Sequence, residues 1–106
     1  MVRVLLNIPK TAPLGEVIEI KVLISHPMES GQRRDAMGRA IPRDIIHSLK
    51  CTWDDEIVLD ADLFPAITAN PFFAFTALAE KSGKITITFT DDHGTVQTES
   101  RDIVVT

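Results

Sequence analysis

The sequence predicts an all-β fold, an antiparallel β-sandwich of about seven strands, and three observations carry that prediction. Apolar and polar residues alternate over long stretches, most clearly Val17 to Ile24 and Lys84 to Thr90, which is the period of two expected of half-buried strands. Turn-forming residues cut the chain at short intervals: Pro9, Pro13, Asp54, Asp55, Pro65, Pro71, Ser82, Gly83 and the run Asp91 to Gly94. No segment keeps the apolar period of a helix. Several short strands with turn signals between them point to a sandwich.

The elements follow in order. Val2 to Ile8 reads as a first strand with Val2, Val4 and Leu6 on one face. Pro9 and Pro13 bracket a connection. Val17 to Ile24 places Ile18, Ile20, Val22 and Ile24 inward and Glu19 and Lys21 outward, and its β-branched residues suit a pleated surface. A long segment, Ser25 to Asp44, intervenes. Ile45 to Trp53 resumes the alternation, with Ile45, His47, Leu49, Cys51 and Trp53 expected on one face. Asp54 and Asp55 mark a turn, and a short strand with Ile57 and Leu59 on one face follows. Leu63 to Pro71 is punctuated by prolines and is expected to be a loop or at most one helical turn. Phe72 to Leu78 and Lys84 to Thr90 are strands, the second with Ile85, Ile87 and Phe89 inward. Asp91-Asp92-His93-Gly94 reads as a hairpin turn, and Thr95 to Val105 closes the chain. The core is therefore expected to include Ile20, Val22, Leu49, Cys51, Trp53, Ile87 and Phe89. A buried mid-chain Trp53 suits an immunoglobulin-like sandwich, while a single Cys and the lack of Tyr exclude the antibody-type pattern.

The chain has 106 residues, 44% of them apolar and 25% charged, which fits a single domain spanning 1–106. Its net charge is −4 and its pI near 5.2, which argues against nucleic acid as partner. No apolar run approaches the roughly 18 residues of a membrane span. The N-terminal MVRVLLNIPK does not read as a signal peptide.

Ser25 to Asp44 is too long for a hairpin turn, and loops of this length are usually functional or disordered. It holds Met28, Met37 and Ile41 among charges, and Arg33, Arg34, Arg39 and Arg43 but no Lys. Arg recognises carboxylates through paired donors, and Met and Arg are enriched at interface cores. The segment reads as a docking loop whose apolar anchors are Met28, Met37 and Ile41. The alternative is a solvated loop whose arginines pair only with Glu29, Asp35 and Asp44, contacts worth about 0–1 kcal/mol.

Cys51 sits on the apolar face of a strand, where a free thiol behaves as a small hydrophobe rather than a nucleophile. His26, His47 and His93 lack ligand-like spacing. The acidic run Asp54 to Asp62 lacks the Gly and terminal Glu of a calcium loop. No phosphate loop, dinucleotide fingerprint or nucleophile elbow is present. The chain reads as a non-enzyme with no metal and no cofactor.

The runs ISHPMESGQRRDAMGRAIPRDIIH, CTWDDE, ADLFPAITANPFFAF and ITFTDDHGTVQTES together resemble the SoxZ family, the Z subunits of the thiosulfate-oxidising Sox system. The likeness runs in order over essentially the whole chain. It implies an immunoglobulin-like β fold and a heterodimer with a SoxY-type carrier subunit, whose C-terminal cysteine arm bears the sulfur intermediates. It also implies transient contacts with other Sox enzymes, and a periplasmic site reached by co-export with a signal-bearing partner. The carrier cysteine belongs to that partner, and this chain has no Gly-Gly-Cys-Gly-Gly arm. On this reading Met28, Arg33, Arg34, Met37, Arg39, Ile41 and Arg43 contribute to the Y-subunit contact, joined by an exposed sheet face or edge because such interfaces are large. Alternatively the loop faces the visiting enzymes or the anionic sulfur group. Readings from other classes are a generic immunoglobulin-like periplasmic interaction module and a sulfurtransferase using Cys51.

Overall fold

Alternation in the sequence becomes extended chain in the structure. A computed structural model describes residues 3–65, 67 and 69–106. Its eight strands are β1 (Val4–Asn7), β2 (Thr11–Ala12), β3 (Val17–Ile24), β4 (Ile46–Trp53), β5 (Glu56–Asp62), β6 (Phe72–Leu78), β7 (Gly83–Asp91) and β8 (Val96–Val105). They form a three-stranded sheet in the order β1-β3-β6 and a five-stranded sheet in the order β2-β8-β7-β4-β5. No described residue is helical.

Each long strand turns one parity inward. β3 buries Ile18, Ile20, Val22 and Ile24 and exposes Val17, Glu19, Lys21 and Leu23. From the other sheet β7 contributes Ile85, Ile87 and Phe89, and β4 contributes Leu49, Cys51 and Trp53. Cys51 stands opposite Ile87 and Leu49 opposite Phe89 in the β4·β7 ladder. All seven expected core residues, Ile20, Val22, Leu49, Cys51, Trp53, Ile87 and Phe89, are buried. Burying each large aliphatic or aromatic side chain contributes about 1.5–3 kcal/mol. The indole Nε1 of Trp53 donates to the Lys81 carbonyl at 3.1 Å, which satisfies the one polar group that Trp brings inside.

The structure corrects the expected strand plan in three places. Thr11 and Ala12 form an extra two-residue strand that pairs parallel, not antiparallel, with β8. Its flanking prolines keep the chain extended, and Val104 and Thr106 donate to the Lys10 and Ala12 carbonyls at 3.0 Å each. Second, His47 is not a core residue. The β4·β7 register steps from Ile46↔Asp91 to Ser48↔Thr90, so one extra residue is accommodated as a bulge and the parity upstream reverses. Ile46 is therefore buried alongside Ile45, while His47 is only half-buried. Third, Asp91 belongs to the end of β7 and is buried, not a solvated turn residue. Val2, placed on the inner face of the first strand from sequence, lies outside the described residues.

Candidate functional site

Ser25–Asp44 leaves the end of β3 and returns into β4 as a protruding two-legged finger. Glu29 and Asp44 close its base by exchanging backbone hydrogen bonds of 2.8 and 2.9 Å. Ile41 N–H donates to the Arg33 carbonyl at 2.9 Å halfway along, and Asp35 N–H to the Arg39 carbonyl at 2.9 Å near the tip. The Asp35 carboxylate accepts the N–H groups of Met37 and Arg39, and Gly38 takes φ +79°, a conformation that a Cβ disfavours. The molecule measures 58 × 21 × 19 Å, whereas a ten-residue strand spans about 33 Å.

All four arginines of the finger fold back on the chain. Arg33 pairs with Glu29, and that guanidinium holds the Glu29 carboxyl below its ordinary range. Arg34 donates to the Gly38 carbonyl at 2.9 Å. Arg39 lies 3.5 Å from Asp35. Arg43 grips Asp92 in the β7–β8 turn with two bonds of 2.8 and 2.9 Å. Burial pushes the Asp92 carboxyl up, but Arg43 and the Ile45 N–H outweigh it and hold the carboxyl low. Pairing with the finger's own acids is thus real for two of the four arginines, Arg33 and Arg39; Arg34 bonds a backbone carbonyl, and Arg43 fastens the finger to the sandwich. The Arg33 and Arg39 side chains stay 65% and 76% exposed, so their remaining donors face solvent.

The three apolar anchors separate. Met37 stands out near the tip at 77% exposure, and Ile41 is half-buried. Met28, expected to face a partner, is instead a core residue. It takes φ +50°, and its sulfur accepts the Ile46 N–H at 3.3 Å, so it roots the finger.

Beside Met28 lies a polar cluster that the sequence did not reveal. His26 is 2% exposed, with Nε2 3.7 Å from Asp44 Oδ1 and 3.6 Å from Asp91 Oδ2. His93 Nδ1 is 3.4 Å from Asp44 Oδ2. The three nearest donors, from His26, Asp44 and Asp91, fall within 4.8 Å of one another, which invites a metal reading. The donor chemistry speaks against it. His26 Nδ1 accepts the Met28 N–H at 3.0 Å, so the ring proton sits on Nε2, the nitrogen that would have to ligate. A ligating His needs the reverse arrangement, with its other nitrogen donating. The cluster is better read as the finger's anchor: Asp44 and Asp91 face the Nε2–H, and Asn70 brackets the His26 backbone through two hydrogen bonds of 3.1 and 2.8 Å. His26, Asp44 and Asp91 are far apart in sequence, and the Glu29–Asp44 bridge at the finger base and the pairing of β4 with β7 bring them together.

Cys51 is buried, and that burial pushes its thiol pKa up to about 11. A thiolate is required for nucleophilic attack, so this sulfur is inert at neutral pH. A wide depression is lined by Arg43, His47, Asp62, Leu63, Phe64 and Asp92. Its one arginine is already committed to Asp92.

A family model described as "Sulphur oxidation protein SoxZ" matches residues 6–102. No curated protein sequence matches the chain. Among solved structures, the sulfur carrier protein SoxY from Chlorobium limicola f thiosulfatophilum is similar with a TM-score of 0.68 and 15% identity, covering 97% of this chain and 78% of that one. A superoxide reductase (neelaredoxin) from Ignicoccus hospitalis is similar with a TM-score of 0.69 and 15% identity, covering 97% of this chain and 80% of its own. At such identities these two structures speak to the fold alone.

Proposed function

This chain belongs to the SoxZ family of sulphur oxidation proteins, and from that premise we propose that it is the non-catalytic Z subunit of a SoxYZ sulfur carrier. Its partner in this reading is a SoxY-type subunit whose C-terminal cysteine carries the covalent sulfur intermediate in the periplasm. The observation that carries the proposal is the position of Cys51. It is the only cysteine in the chain, and it is fully buried with a thiol pKa of about 11. A sulfur-oxidation protein with no usable thiol of its own works by supporting one on another chain.

Within the carrier, the sandwich is the body that visiting enzymes recognise. The finger adds exposed guanidinium surface at one end, through Arg33, Arg34 and Arg39, with Met37 as its apolar tip. We assign it to the Y-subunit contact. The test is purification of the native complex, with its mass and the identity of its second chain. A 1:1 complex with a SoxY-type chain is expected, and a chain that purifies alone from cells making both subunits would sink the reading. Arg33→Ala with Arg34→Ala should weaken that complex several-fold; unchanged affinity removes those two residues from the interface.

A further inference from the structure

β6 differs from every other edge of the sandwich. An open strand edge invites pairing with another chain, and β proteins protect such edges by brevity, charge, proline or bulges. β1 is four residues long, with Arg3 before it and Pro9 after it. β2 is two residues long and lies between Pro9 and Pro13. β5 carries Glu56, Asp60 and Asp62, and a register shift interrupts its pairing with β4. β6 has none of these protections within the strand, although Pro71 stands just before it. It is seven residues long, uncharged and free of proline along its length. It pairs without a break from Leu23↔Phe72 to Val17↔Leu78, and among the described strands only with β3.

The sheet face beside that edge is apolar at the finger end. Leu5 stands opposite Leu23, and Leu23 opposite Phe72, so the three make a row across all the strands of the sheet. They are 62%, 38% and 60% exposed. Leu23 lies just before Ser25, so this row adjoins the root of the finger. Farther along the face Glu19 and Lys21 pair with each other at 3.1 Å, which leaves little net charge there. Exposed apolar surface beside an unprotected edge marks an interaction surface.

We propose that this face and the β6 edge seat the carrier subunit, with a strand of the partner's sheet pairing to β6 and its apolar side chains covering Leu5, Leu23 and Phe72. This rests on the reading above that the chain works as one subunit of a SoxY-type carrier. What fills the surface has to offer both free backbone groups in extended form and apolar side chains, which describes another β-sheet protein. The SoxY structure aligned to 97% of this chain has that architecture. A second copy is disfavoured because each copy carries a net charge of −4, and like net charges oppose association. A lipid surface has no strand to pair, and it would meet Glu19 and Lys21.

The experiment titrates the full chain with its cognate SoxY-type subunit and follows amide hydrogen exchange in the complex. The variant Leu5→Glu with Phe72→Glu should raise Kd by about tenfold or more, at an unchanged melting temperature. Val96→Glu, an exposed position on the other sheet, should leave Kd within about twofold. The β6 amides should become protected in the complex. If the unaltered chain binds, the double variant binds as tightly and β6 stays unprotected, the surface is wrong while the subunit reading stands. If the unaltered chain does not bind at all, the subunit reading itself fails. A double variant that does not fold leaves the decision to the exchange data on the unaltered complex. A homodimer through β6 that the carrier does not displace also overturns the proposal.

Discussion

Cys51 shows how one residue's surroundings decide its chemistry. It sits on β4 opposite Ile87, in a core that stabilises the neutral thiol. Its pKa is raised from 9.0 to about 11, and the sign of the linkage follows. Below about pH 9 the folded and unfolded states both keep the proton, and the contribution is fully present. As pH rises, the unfolded chain deprotonates first, so stability falls between about pH 9 and 11, by on the order of 2 kcal/mol. Denaturant titrations over this range should show that decline, and Cys51→Ala should flatten it; an equal slope in both proteins would contradict the assignment. A thiol reagent should label the native protein slowly and the denatured protein at once. This burial was legible in the sequence because alternation alone places Cys51 between Leu49 and Trp53 on the inner face. His26 was not legible. Its partners Asp44 and Asp91 arrive from a distant return strand and a distant hairpin, and nothing near His26 in the sequence records them.

Among the elements, the finger divides into a structural root and a free shaft. Met28 belongs to the core cluster, whereas residues 32–40 are all exposed. Two opposite outcomes follow. Met28→Ala should cost about 2–5 kcal/mol, the usual range for emptying a buried Met site. Replacing residues 32–40 by a short turn should leave stability within about 1 kcal/mol, because loop length enters closure entropy only logarithmically. Thermal or denaturant unfolding of the two variants checks both; a large loss on shortening the shaft would mean that it supports the sandwich. The sequence exposed the finger's existence, through its length and its flanking prolines, but not the split within it. Met28 carries the same apolar character as Met37, and only φ +50° and the Ile46 N–H distinguish them in space. The bulge at His47 was hidden for a similar reason. Ile45 and Ile46 are equally apolar and both end up fully buried, so the pattern around them does not say which of Ile46 and His47 faces the core, and long-range pairing with β7 decides it.

For the whole molecule, period-two patterning was enough to give a two-sheet sandwich, because a half-buried strand has to hide one parity against a second layer. It could not show which strand edges stay open. That depends on sheet order, and β6 closes the three-stranded sheet although it lies between β5 and β7 in sequence. The charge distribution was equally accessible from sequence and carries over intact. With Arg33, Arg34, Arg39 and Arg43 against Glu29, Asp35 and Asp44, the finger Ser25–Asp44 carries +1, which leaves −5 on the rest of a chain of net −4. The finger is a basic projection on an acidic body, which favours acidic partner surface at that end.

The short parallel strand β2 has a mechanical consequence. Val104 and Thr106 donate to Lys10 and Ala12, and Leu14 N–H donates to the Thr106 carbonyl, each at 3.0 Å. Because β2 and β8 run the same way, tension applied to the two chain ends drags them past each other along their length. The three bonds then bear load together and break as a set, instead of peeling one after another. Stretching single molecules from the two termini should meet a clear force peak. Ser82→Ala, which removes the hydroxyl that accepts the Val105 N–H at 2.8 Å, should lower it. A smooth extension without a peak would show that the clamp carries no load.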